Sequence, residues 1–125
     1  MLRKFGLAAI LLAACAAPAL ADDTCQAPPV PVSVDGATAT TDAMRAAIKN
    51  VNDYQASVEK YKQCVSDYVT AQNAAADKDK KAHDAAMIQS EGDKVTAADA
   101  AKQKAVDGIN ASIAAYKAAH AKPAG

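Results

Sequence analysis

No C-x-x-C pair and no C-x-x-C-H occurs in the sequence, which removes the signatures of a redox dithiol and of c-type haem attachment. An excess of one charge is also missing, since 14 Lys and Arg stand against 14 Asp and Glu. Without a basic surplus there is no electrostatic reason to expect nucleic acid or an anionic membrane as partner. The apolar run Phe5 to Leu12 is too short to cross a bilayer as a permanent helix, so no stable membrane span is expected in the mature chain. Nor does any grouping of nucleophile, base and perturbed acid stand out. The carboxylates Asp53, Glu59 and Asp67 are interspersed with Lys49, Lys60 and Lys62, the pattern of a solvated helix face.

What is present begins with a leader. Met1-Leu2-Arg3-Lys4 supplies a basic start, Phe5 to Leu12 an apolar core, and Ala19-Leu20-Ala21 an A-x-A site before Asp22-Asp23. These are the parts a signal peptidase reads, and they predict a signal peptide over 1–21, cleaved after Ala21. A second reading stays open. Leu12-Ala13-Ala14-Cys15 resembles a lipobox, in which Cys15 would be lipidated and anchor the chain. The two readings differ in anchoring and not in fold. Removing 1–21 leaves 104 of the 125 residues, one domain's worth of chain. With Arg3 and Lys4 gone, 12 basic side chains face 14 acidic ones, a net charge of −2.

The mature chain keeps Cys25 and Cys64, and export would place them where thiols are oxidised, so a disulfide is expected. From Cys25 to Val34 the chain reads C-Q-A-P-P-V-P-V-S-V. Its three prolines remove backbone donors and favour extended polyproline-like geometry. Asp35-Gly36 is a turn signal, and Thr40-Thr41-Asp42 offers acceptors suited to a helix N-terminus. Residues 22–41 therefore read as an extended Pro-rich segment. Laid antiparallel along the first helix, it reaches Cys64 easily, and its Val30, Val32 and Val34 are expected to cover part of that helix.

From Asp42 to about Ala76 no Gly or Pro interrupts, and Val51, Val58 and Val65 alternate with Tyr54, Tyr61 and Tyr68 in three repeats of V-x-x-Y-x-x-x. Met44 stands seven residues before Val51, and Ile48 and Val69 flank the seam. Spacings of three and four put this series on one stripe of a helix, which must be covered. The Tyr rings are expected at the edge of the core, with their hydroxyls wet, as packing rather than as a stacking platform. Between Asn73 and Asp84 the apolar residues shrink to Ala and charges cluster at Asp77-Lys78-Asp79-Lys80-Lys81, which reads as a solvated turn. Ser90-Glu91-Gly92-Asp93 reads as a second break, with a capping box and a helix-weakening Gly. Val95, Val106, Ile109, Ile113 and Tyr116 then mark a second amphipathic helix ending near Lys122-Pro123.

Two such stripes on consecutive helices meet most simply as an antiparallel hairpin. The fold class expected is all-α: a long helical hairpin over 42–122, with the Pro-rich segment packed along its first helix and a tail at 123–125. Large apolar side chains are few for rods of this length, so self-association or an envelope protein partner is expected.

Taken together, Cys25-x-x-Pro28-x-x-Pro31, Asp35-Gly36-x-x-Ala39-Thr40-x-x-Ala43-Met44, Val51-x-x-Tyr54 and Tyr61-x-x-Cys64 resemble a group of small exported proteobacterial helical proteins. The later stretch Asn110-Ala111-Ser112-Ile113-Ala114-Ala115-Tyr116-Lys117 is similar to an ending found among them. The likeness covers most of the mature chain and implies fold, export and the Cys pair; it implies no chemistry. A longer, more Ala-rich stretch between the helices departs from that pattern and leaves the turn position open.

Other chemistry is thinly represented. His83 and Met87, at i and i+4, could offer nitrogen and sulfur to a copper ion from one helix face, but two ligands are too few for a site. Close-packed Ala-rich helices leave little room for haem, and no cofactor is expected. Asn110-Ala111-Ser112 matches a glycosylation sequon without context for its use. The residues thus predict a periplasmic or secreted structural or interaction protein without catalysis. The alternatives are a lipoprotein anchored at Cys15 or a weak metal or small-ligand module using His83 and Met87.

Overall fold

The computed structural model describes residues 25–123; the leader expected from the sequence, with Cys15 and the cleavage site expected at Ala21, lies outside them. Two helices fold into a hairpin, α1 over Thr41–Lys78 and α2 over Ala85–Ala119, and the described residues contain no strand. At 1.5 Å per residue these rods are about 57 and 52 Å long.

Local chemistry sets each boundary. The Thr40 hydroxyl accepts from the Ala43 amide at 3.2 Å and caps α1. At the other end, Lys81 N donates to Ala76 O and Lys80 N to Asp77 O, the paired bonds that close a helix through a left-handed residue. That residue is Lys80, at φ 55°, a position for which glycine is the usual occupant. The Asp84 carboxylate accepts from Met87 N at 2.9 Å and starts α2. The turn therefore occupies 79–84, shorter than the Asn73–Asp84 stretch that composition suggested.

The break expected at Ser90-Glu91-Gly92-Asp93 does not occur: all four residues lie inside α2. One Gly costs a helix interior about 1 kcal/mol, too little to end a helix already capped at Asp84 and packed along its length. At the far end α2 stops at Ala119 with His120 as its cap, a little before the Lys122-Pro123 end expected from the proline.

The heptad of α1 is the spine of the core. Tyr54, Val58, Tyr61 and Val65 pack with Ala98 of α2, while Met44, Ala47 and Val51 pack with Ile109. Val58 is 0% exposed. Tyr54 and Tyr61 are also buried, deeper than the core-edge position expected; only Tyr68 is half-buried. Ala98 opposite is small, so two whole rings fit between the helices where a larger residue would push them out.

Candidate functional site

The Pro-rich segment is where the sequence becomes legible as geometry. Its half-buried positions are Cys25, Pro28, Pro31 and Val34, and every residue between them is exposed. A three-residue repeat is the period of a polyproline helix, which rises 3.1 Å per residue. Nine residues from Cys25 to Val34 thus cover about 28 Å, close to the roughly 30 Å from Met44 to Cys64 along α1. The segment is a strap along the hairpin, seated on one of its three faces.

That screw corrects the expectation for the valines. Val34 packs against the Met44 cluster, but Val30 is 56% and Val32 89% exposed. Alternate residues share a face only in a two-residue period, which all three valines would need to point inward; the three-fold screw expected of the prolines turns two of them out.

Both ends of the strap are fixed. A disulfide joins Cys25 to Cys64, with Cα atoms 5.7 Å apart and the two cysteines 39 positions apart in sequence. At the other end Asp35 builds a tight turn: its carboxylate accepts from Ala37 N at 3.0 Å and from the Thr38 hydroxyl at 3.2 Å, and its carbonyl accepts from Ala39 N at 2.9 Å. The turn presses Gly36 against α2. A Cβ added there would overlap the Ser112 carbonyl oxygen and come within 3.0 Å of Ser112 Cα, so only glycine lets the two backbones approach this closely. Ser112, buried, donates its hydroxyl to Val34 O at 2.6 Å, which gives the serine of the Asn110-Ala111-Ser112 triplet a packing role. Beside it the Thr41 hydroxyl and Tyr116 hydroxyl lie 2.6 Å apart, tying the start of α1 to the end of α2.

Between these anchors the strap bridges a groove of about 610 Å³. Val30, Pro31, Val32 and Ser33 form one wall; Ala47 and Val51 of α1 and Ala101, Ala105, Gly108 and Ile109 of α2 form the rest. The groove exists because α2 presents small residues where the seam would otherwise be filled. Lys104 and Asp107 stand on its rim.

On the neighbouring stretch of the hairpin, four charged side chains bridge the helices. Lys62 contacts Asp99 at 3.0 Å and Glu59 at 3.5 Å, while Lys102 contacts Glu59 at 2.5 Å and Asp99 at 3.2 Å. The hydrogen bond from Lys102 holds the Glu59 carboxyl below its ordinary range, and that from Lys62 does the same for Asp99. In return, the bond to Glu59 raises Lys102. The sequence shows Glu59 and Lys62 only as part of an alternating solvated face and singles out neither Asp99 nor Lys102, because their pairing depends on the register of one helix against the other.

Toward the tip, Glu91 is buried and accepts from Lys94 at 2.8 Å, three residues on. The Asn73 side-chain carbonyl is buried without a protein partner, and both residues line a second cavity of about 540 Å³ with Tyr68 and Met87. His83 is not on the helix with Met87: it precedes the Asp84 cap, and its Nε2 lies 2.7 Å from Asp77 Oδ1. The shared helix face on which the copper reading rested is therefore absent. Among the described residues, no three His, Cys, Asp or Glu side chains are grouped as a metal ion requires, and no helix is long and apolar enough to cross a membrane. Comparison with protein-family models, curated proteins and solved structures finds no match for this chain.

Proposed function

We propose that this chain is an exported interaction or structural protein of the bacterial envelope that works without catalysis, by presenting its strapped face to a protein partner. The observation that carries the reading is the outward Val30 and Val32 beside a groove of small residues. Apolar side chains held outward next to an apolar depression are features of interaction surfaces, and here the strap that holds them is fixed at both ends. The leader ending at Ala21 and the pairing of Cys25 with Cys64 support export to an oxidising compartment.

A photoreactive residue at position 32, introduced in the host cell, tests this. The expected result is a discrete cross-linked species in the envelope fraction, and none from the same residue at Ala74, an exposed site far along α1. A processed, oxidised chain that yields no adduct from position 32 overturns the interaction reading. A chain found only in the cytoplasm with its leader uncut overturns export.

A further inference from the structure

We infer that the partner at this face is a second copy of the chain, docked about a twofold axis so that Val32 of each copy enters the groove of the other. The inference rests on the strapped face being an interaction surface and names its occupant.

The first argument is shape. A twofold interface uses one patch twice, so the patch must carry both the projection and the depression that receives it. Val32, at 89% exposure, is such a projection. The depression beside it is floored by Ala101, Ala105 and Gly108. A small apolar ligand in the groove would cover that floor and the part of Val32 that lines it, and would leave much of a side chain that is 89% exposed in water. A protein surface with its own hollow covers both.

The second argument is charge. Lys104 and Asp107 share the rim, three residues apart on α2. Lys104 has no carboxylate within ion-pairing distance among the described residues, while the basic residue two positions before it, Lys102, bridges two acids. Asp107 is met by the Gln103 amide at 2.9 Å and, among the described residues, by no cation. A twofold axis crossing α2 between these positions runs the two α2 helices antiparallel and places Lys104 of each copy opposite Asp107 of the other. Opposite charges straddling the axis make the patch complementary to itself, the arrangement that fixes register and excludes wrong partners.

Sedimentation equilibrium of the purified, oxidised protein over a wide concentration series tests the inference, with circular dichroism confirming that each variant keeps its helices. The mass is expected to double with concentration. Val32→Arg should weaken association about tenfold or more, and Lys104→Asp about tenfold. Lys104→Asp combined with Asp107→Lys should restore it to within about threefold, because the swapped charges again face each other. A protein that stays monomeric to its solubility limit overturns the inference, as does a dimer indifferent to Val32→Arg and Lys104→Asp, or a double swap that fails to restore. A monomer that binds an apolar fluorophore displaced by Val32→Arg also overturns it, by showing the groove to be a ligand pocket. A monomer whose position 32 still cross-links to a different protein in the cell ends the dimer and leaves the broader reading standing; no cross-link at all removes both.

Discussion

The strapped half of the hairpin and its tip are made by the same two helices, yet they are built differently. Between Met44 and Val65, α1 buries seven side chains; between Ser66 and Lys78 it buries none. In α2, the stretch facing the strap contributes Ala98, Ile109 and Ser112, whereas toward the tip only Glu91 is buried. The tip keeps helical geometry through good caps and alanine, not through a core. Helix length is thus a poor guide to where stability lies. In most proteins tertiary packing, rather than propensity, holds a helix in place. Here α2 is too rich in small residues to cover α1 alone, and the strap supplies the third layer over one half only.

Reducing the disulfide should have the largest effect on this contrast. Closing a loop of about 40 residues is worth about 4 kcal/mol in the loop-entropy account, and a urea melt of the reduced chain or of Cys25→Ser/Cys64→Ser should show a loss of that order. Next comes Gly36→Ala. Its methyl group meets backbone, which cannot swing aside as a flexible side chain can, so a loss of about 3 kcal/mol is expected in the same assay.

Third is a matched pair. Val58→Ala, at the centre of the strapped half, should cost about 2 kcal/mol. Ile88→Ala, 37% exposed near the tip, should stay within about 0.5 kcal/mol. Equal costs would erase the distinction between the two regions.

Smallest is the charged bridge of Glu59, Lys62, Asp99 and Lys102, whose exposed pairs are screened by solvent and salt. Both carboxyls are lowered in the fold. Their contribution is therefore full above the ordinary values of 4.5 and 3.8 and is lost as pH falls through the lowered ones. Lys102 is raised, so its contribution is full below 10.5 and is lost as pH rises through the raised value. Thermal melts should show a plateau between those limits. Glu59→Gln should flatten its acid shoulder, and added salt should shrink the difference between the two proteins.

Much of this architecture can be read from residue spacing. The V-x-x-Y-x-x-x series declared α1 and its buried stripe, and Ile109, Ile113 and Tyr116 declared α2, because large side chains at three and four residues leave one arrangement that hides them. Asp35-Gly36 showed the turn, and Cys25 and Cys64 showed the tie. The facing of the strap was not legible in the same way. The polyproline-like geometry was legible, but its three-residue period was not carried through to the valines, so Val30 and Val32 were expected inward where that period turns them out. The Gly36–Ser112 contact and the four-charge bridge join residues far apart in sequence, so no local pattern announces them. Near the tip, alanine satisfies both helix and turn; the end of α1 depends on Lys80 accepting a left-handed conformation that its side chain does nothing to advertise.

Hydrogen exchange with mass spectrometry, read by segment before and after reduction, tests most directly whether the strap makes one half of the hairpin the stable half. With the disulfide intact, amides from 44–65 and 98–113 should exchange only through the slowest, global opening, and those from 66–78 and 85–97 much faster. On reduction the first set should lose most of its extra protection while the second barely changes. Uniform protection along both helices, or a gradient that survives reduction unaltered, contradicts the account.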